Sequence, residues 1–487
     1  YLTPIDLTSS QWRSLMSFSK NGGLALSRQS LLMVTLIFIV LSGIIGESSK
    51  LTQTIKQTID ATYNLPAPIP TSRVSDYPFN YTAFWQDVMD RVKPDLTTNI
   101  PHYELATCPK VFVYDLKNDL RDGPADLNFT RAFGIAEGKV HQTGQYQLGR
   151  ILQYRIMSSK YCVTKDPQKA DLFYVPIFPD GRSVSLWDKS CKNHKAILKS
   201  LLRQLQHLTP ETACKHFFVV SKSFEAGTKC KGWWSDPVSA FAPAMRVSYT
   251  ERHFGLKGMK TNFYGERNDT HRYPNRVAVP YPSSLHWQHG KDAPWEPEEQ
   301  QPRNVYTLFV GRLSHGDMPV RSEIERQCDT VYLNDPNKCK LSTDTNNGKS
   351  GSQLVEEKLD AVFCLEPGGD TPDRKSISDS IASGCIPVLF NNITGTGWDM
   401  FWGPWKAQGH VSVPREPFIR GEVDLHTLLR TTMPQELRHI MQETLRTYAR
   451  QFQYSIDEDS NDGIRIMLEG LKDHAKRRIE NGQCRQA

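Results

Sequence analysis

Residues Asp360–Phe390 read DAVFCLEPGGDTPDRKSISDSIASGCIPVLF. Asp360–Leu365 is a short apolar run of strand length, and Ile386–Phe390 is a second. Between them lie a glycine-bearing loop, a helical stretch and a glycine stop. Gly368 and Gly369 allow a tight turn and a close approach of backbone to a ligand. Asp370 or Thr371 suits a helix N-cap, Pro372 the first helical position, and Gly384 a left-handed C-terminal cap. A strand, a crossover helix and a second strand make a parallel unit of an α/β fold.

Arg374 and Lys375 are the anomaly in this unit. Cations in a first helical turn oppose the helix dipole, at a cost of about 0.3–1 kcal/mol each when exposed and unpaired. The same helix start offers free N–H groups to an anion, so two added cations fit a docked diphosphate. The plainer reading pairs them with Asp370 and Asp373 on a solvated surface.

The alternation continues outward. Val111–Leu116, Leu172–Phe178, His216–Ser221 and Val277–Pro280 read as strands, with helices expected over Gln145–Ser159 and His194–His207. After a Pro- and Glu-rich linker, Trp287–Arg303, a second run begins at Val305–Gly311. Asn334–Gly351 is polar and aperiodic and reads as an excursion, and Leu425–Tyr454 is helical with an interruption at Pro434. The fold class is α/β with two Rossmann-type lobes: an N-terminal lobe over 105–290, a C-terminal lobe over 300–440 and a helical extension over 441–487. Ligands belong in the crevice between the lobes.

At 487 residues, with 23% charged and 10% aromatic residues, the chain has material for two or three domains and is not disordered. A net charge of +6 over this length argues against a nucleic-acid binder. Residues 29–46 carry no charge, Arg13, Lys20 and Arg28 precede them, and Glu47 follows. Eighteen helical residues span about 27 Å, which suits a thin bilayer, and the flanking charges keep the N-terminal side cytoplasmic. The expected layout is a cytoplasmic tail 1–28, a signal-anchor 29–46 and a stem 47–104. A cleaved signal peptide is the competing reading, disfavoured by the long preceding tail. The first residue is Tyr rather than Met, which leaves room for residues before it. All ten cysteines follow residue 107, on the side expected to be oxidising, with Cys328 and Cys339 a candidate local closure. Glycosylation acceptors on the same side are Asn80, Asn128, Asn268 and Asn392.

The Asp360–Phe390 segment resembles the signature of the exostosin family, glycosyltransferase family 47. The shared elements are Phe363-Cys364-Leu365, Gly369-Asp370, Arg374-Lys375-Ser376 with Asp379, and Gly384-Cys385-Ile386-Pro387. Further likeness lies in Val113-Tyr114-Asp115, Cys162 with Asp166-Pro167, Ala170–Pro176, Val279–Pro282, and Phe309–Arg321 with Cys328, covering about residues 108–420 in the family's order. The resemblance implies a GT-B-like fold and a type II Golgi membrane enzyme. It further implies inverting transfer of a sugar from a nucleotide-sugar, UDP-linked by expectation, to a wall or extracellular glycan. The Arg-Lys-Ser form is closer to the plant and algal wall-polysaccharide branch. No metal cofactor is implied, and a transferase complex is a possible setting.

By position, Arg374 and Lys375 bind the donor diphosphate with N–H groups near Thr371 and Ser376, while Asp370 caps the turn. Asp379 accepts from ribose or sugar hydroxyls, and Arg312 or Arg321 supplies a second cation. Glu366 hydrogen-bonds donor or acceptor, since many relatives carry Gln there. Asp180 and His141 are the candidate bases from the N-terminal lobe. Leu148-Gly149-Arg150 departs from the acidic residue that relatives place there. That departure motivates the alternative, a catalytically silent subunit that binds glycan or scaffolds a partner transferase. Asp457-Glu458-Asp459 has the form of a metal-binding element, but it follows a helix and reads as a solvated turn. His286, Trp287, His289 and Trp233-Trp234 are weaker sugar-contact candidates, with packing the competing reading.

Overall fold

The computed structural model describes residues 79–92, 102–117, 128–177, 194–220, 240–250, 275–297, 300–314, 316–343, 351–369, 371–403 and 405–484, and a strand pair near the N-terminus. That pair, Ser17–Phe18 with Leu24–Ala25, is antiparallel. The expected anchor 29–46 lies outside the described residues, among which no helix is long and apolar enough to cross a membrane.

A second antiparallel pair joins Ala136–Glu137 to Val140–His141, and two parallel sheets hold the other described strands. The first holds β1 Val111–Val113, β2 Val163–Thr164, β3 Leu172–Tyr174, β4 His216–Val219, β5 Met245–Ser248 and β6 Arg276–Ala278. Their order is β6-β5-β4-β3-β1-β2, every pair parallel. The second sheet holds β7 Val305–Val310, β8 Lys340–Ser342, β9 Ala361–Glu366, β10 Ile386–Leu389 and β11 Val411–Ser412, in the order β8-β7-β9-β10-β11 and again all parallel. The α/β class expected from the alternating pattern is what the strands form. β9 and β10 are buried along their whole length, as apolar runs in a parallel sheet covered on both faces must be. A disulfide between Cys364 and Cys385 staples these two neighbours.

The helices that matter are α1 Tyr81–Arg91, α2 Leu148–Ser158, α3 His194–Gln204, α4 Met318–Glu325, α5 Gly351–Leu359, α6 Lys375–Ala382, α7 Gln435–Tyr448 and α8 Gly463–Glu480. Helix α6 joins β9 to β10 and ends as the glycine stop requires, with Gly384 at φ +68°. A Cβ at Gly384 would come within 2.4 Å of the Trp295 ring. The indoles of Trp287 and Trp295 both donate to the Ala382 carbonyl, at 3.2 and 3.1 Å. The segment read as a linker is thus pinned to the C-terminal end of α6.

Other differences have local causes. Helix α6 starts at Lys375 with Arg374 as N-cap, not at Pro372. The capping candidate Thr371 instead donates its hydroxyl to the Asp373 carbonyl within the turn before the helix, and the Asp373 carboxylate accepts from the Gly395 N–H; the other candidate, Asp370, lies outside the described residues. The polar stretch after Asn334 is not wholly an excursion. It contains edge strand β8, paired with β7, and the Cys328–Cys339 disulfide ties its entrance to the helical turn that follows α4.

Within the range expected to be a stem, α1 buries Trp85, whose indole donates to the Leu428 carbonyl at 3.2 Å and the Thr432 hydroxyl at 3.1 Å. Helix α8 returns to the first sheet's side. Asp462 caps it and pairs with buried Arg155 of α2 at 2.8 Å, and Cys484 beyond it is bonded to Cys214. Asp76–Ala487 forms one compact unit.

Candidate active site

In the second sheet β7 connects outward to β8 on one side, and the chain then crosses to β9 on the other. The C-terminal ends of β7 and β9 therefore part around a crevice, the usual ligand position in such sheets. Arg374 lies there. Its guanidinium donates to the Pro367 carbonyl at 3.0 Å and stands 3.9 Å from Glu366 Oε2. It crosses two glycines: a Cβ at Gly311 would sit 3.2 Å from its NH2, and one at Gly369 would sit 3.3 Å from its Nε. Gly311 also has φ +144°, so a side chain there would be strained as well as pressed against the guanidinium. Among the described residues no side chain caps α6, and with the Ile377 N–H on the Arg374 carbonyl the Lys375 and Ser376 N–H groups are the ones a ligand could meet.

Glu366 closes β9 beside this guanidinium and is 2% exposed. Its Oε1 accepts from Lys358 Nζ at 2.7 Å, Ser376 Oγ at 2.9 Å and Ser380 Oγ at 2.7 Å. Its Oε2 is buried and accepts no hydrogen bond among the described residues. Lys358 on α5 also donates to the Ser376 carbonyl at 2.8 Å and to the Ser376 and Ser380 hydroxyls at 2.7 Å each. Burial lowers the Lys358 ammonium pKa, with Glu366 and Asp379 opposing. Lys358 was not visible as a site residue, because one lysine on an amphipathic helix ordinarily faces water.

Lys375, the next residue after Arg374, faces elsewhere. Its Nζ lies 2.7 and 2.8 Å from the Asp379 oxygens and 2.9 Å from Ser284 Oγ, on the segment that follows β6. Asp379 Oδ1 also accepts from Ser283 Oγ at 3.1 Å and Ser284 N at 2.8 Å. Asp379 thus ties α6 to the first lobe's exit.

His141 N donates to the Ser284 carbonyl at 2.7 Å. The His141 ring packs against Phe129 and His286, with centroids 5.7 and 5.3 Å away, and burial lowers its pKa. His286 lies between the Tyr454 carbonyl at 2.7 Å and the Thr143 hydroxyl at 2.8 Å, and burial pushes it down to about 3.

Arg321 is buried, and its guanidinium donates to the carbonyls of Gly368, at 2.9 and 3.2 Å, and of Arg312. It knits together the loops after β7 and β9. Arg312 is exposed on the first of these loops. Thr371 is buried in the turn before α6. The acidic turn is consumed by protein donors. Asp457 accepts from His289 N at 2.9 Å, Glu458 from Lys160 N at 3.2 Å, and Asp459 from Arg450 at 2.5 Å. Trp287 packs in the core. Asn80 and Asn128 are exposed N-caps and Asn392 is exposed. Asp180, Asp370, Asn268 and Trp233-Trp234 lie outside the described residues.

The family model of the Exostosin GT47 domain matches residues 107–409, more than half of the chain. The chain belongs to the Exostosin GT47 family. The matched span opens just before β1 and closes just before β11, so Lys358, Glu366 and Arg374 all fall within this Exostosin GT47 domain. Among curated relatives, a probable xyloglucan galactosyltransferase GT13 of Arabidopsis thaliana is 26% identical over 327 residues, covering 64% of this chain and 65% of the relative. Its counterpart GT12, from the same plant, is 25% identical over 342 residues, covering 66% and 62%. Xyloglucan-specific galacturonosyltransferase 1, also from Arabidopsis thaliana, is 30% identical over 264 residues, covering 51% and 36%. The chain spans less than two-thirds of each relative's length. Among solved structures, the GtfA/B complex superposes with TM-score 0.34 at 10% identity, over 63% of this chain and 58% of that one. An overlap that loose leaves the fold description resting on strand order.

Proposed function

We propose that this chain is an inverting, GT-B-like glycosyltransferase. It moves a sugar from a nucleoside diphosphate, in the first instance UDP, to a hydroxyl of a wall polysaccharide of the xyloglucan type. One observation carries the reading: Arg374 lies across Gly311 and Gly369 at the crevice, at the head of an uncapped helix. The acceptor oxygen forms a bond to the anomeric carbon from one face while the bond to the β-phosphate oxygen breaks on the other. The charge that develops on the leaving phosphate is met by Arg374 and by first-turn N–H groups of α6, which are already oriented. These fixed groups do what a metal would otherwise do. Glu366 Oε2 accepts a hydrogen bond from a donor hydroxyl, in place of Asp379, whose carboxylate is occupied by Lys375 and the Ser283–Ser284 segment. The acceptor's proton passes to Asp180, because the His141 Nδ1 is shut in among aromatic rings.

The names of the relatives support a wall glycan as acceptor, and the uncharged stretch 29–46, read as a signal-anchor, supports a site in the Golgi lumen. The test is a donor screen on the full chain with xyloglucan as acceptor, with and without EDTA. Turnover with a UDP-sugar, UDP-galactose first, that survives EDTA supports the reading; no turnover with any donor defeats it. One observation favours the silent-subunit alternative: Lys375 already has its charge partner in Asp379. Titration with UDP separates the two, since a pure scaffold need not bind it.

A further inference from the structure

Lys358 sits on α5, yet its side chain ends in the donor crevice. Side chains on a helix lean toward its N-terminus, so a lysine near the C-terminal end of α5 reaches back along β9 toward Glu366. It is 2% exposed, and its three N–H bonds serve four oxygens within 2.8 Å. One of those is the main-chain carbonyl of Ser376 in the first turn of α6; another is Glu366 Oε1. Burying an ammonium this deeply is costly, and sealing a strand end needs only an apolar side chain. What the lysine adds is direction. An ammonium only donates, so whatever faces it must be an acceptor. Because it holds Oε1, Oε2 is the carboxylate oxygen left open, 3.9 Å from Arg374.

We propose that Lys358 is a positioning residue for the donor site: it orients Glu366 so that a hydrogen-bond acceptor faces the ligand and Arg374, and it fixes the first turn of α6 against the end of β9. This rests on the reading of Glu366 as a contact to the donor.

The orientation argument makes an unusual prediction, that one mutation rescues another. In Glu366→Gln the ammonium still claims the side-chain oxygen. The amide NH2 then turns toward Arg374 and the ligand, offering donors where an acceptor is needed. In Lys358→Met/Glu366→Gln the donor-only ammonium is gone, and the Ser376 and Ser380 hydroxyls that remain beside that position can accept as well as donate, so the amide can turn its oxygen toward the ligand. The double variant also carries no unpaired buried charge, so it remains usable even if Lys358→Met alone folds poorly.

The experiment is UDP titration of the full chain and each variant by calorimetry, with melting temperatures and donor KM and kcat alongside. We expect Glu366→Gln to weaken UDP about tenfold and the double variant to return to within about threefold of the parent, with the change in KM rather than kcat. A double variant that melts like the parent but binds UDP no better than Glu366→Gln overturns the positioning role while leaving the donor site intact. A parent chain that binds no UDP overturns the donor site and this proposal together.

Discussion

Arg374 and Lys375 are adjacent in sequence, and α6 gives them two different employments. Arg374 stands in the crevice, held by one carbonyl at 3.0 Å and a carboxylate oxygen at 3.9 Å. Lys375 faces the first lobe, with both Asp379 oxygens and a serine hydroxyl within 2.9 Å. Arg374 is the extended N-cap and Lys375 the first helical residue, so the two side chains leave the chain in different directions. Two positive charges at a helix start therefore do not add up to one anion site: on the proposed reading the first meets a ligand, while the second joins the lobes through Asp379 and Ser284. The glycines beneath Arg374 mark the working face, and the buried serines beside Lys375 mark the structural one.

The contrast breaks most easily at its largest effect. Arg374→Ala should cut donor turnover by about 10²–10³-fold, the usual cost of one preorganised charge-stabilising group, with the melting temperature little moved. Steady-state kinetics beside a thermal melt checks it, and a variant that melts early with turnover intact would reverse the roles. Asp379→Asn should do the opposite, destabilising by about 1–3 kcal/mol in urea denaturation while leaving UDP affinity within about threefold. A collapse of UDP binding there would return Asp379 to the donor site.

Acid should act on the lobe-joining face first. Burial, with smaller help from the neighbouring His141 and Lys375 charges, holds His286 at about 3 against an ordinary 6.5. Between those values the unfolded chain takes up a proton that the folded chain refuses. Stability from this group is full above pH 6.5 and falls as pH drops through that window, by up to about 1.4 kcal/mol per unit. Denaturation series at pH 7 and pH 5 read it, and the slope should shrink in His286→Gln. Ser284→Ala, which removes one hydroxyl from Lys375, is the smallest change, about 0.5–1.5 kcal/mol by the same urea assay.

Much of this unit was legible beforehand, for physical reasons. Runs such as Ala361–Leu365 and Ile386–Leu389 have one comfortable home, a strand covered on both faces. Gly384 announced a left-handed stop because few other residues adopt that backbone. The start of α6 was misread because capping signals are local. Thr371 and Asp373 spend their oxygens on a preceding turn and on Gly395, which lies far along the chain. Strands of two residues, such as Val163–Thr164 and Val411–Ser412, carry too little periodicity to see. The Cys364–Cys385 bond follows from β9 and β10 being neighbours, a fact of sheet order and not of spacing. Lys358 was hidden for the same reason, since its burial is decided by where α5 crosses β9 and α6. Arg374 could be suspected from composition, but the two glycines under it and the Asp379–Ser284 partners of Lys375 are what separate the two.

The most direct trial of the central claim is a crystal structure of the full chain soaked with UDP. The account predicts diphosphate oxygens within hydrogen-bonding distance of the Arg374 guanidinium and the first N–H groups of α6, with Lys375 still on Asp379. A diphosphate bound elsewhere, with Arg374 unmoved against Pro367, would contradict it.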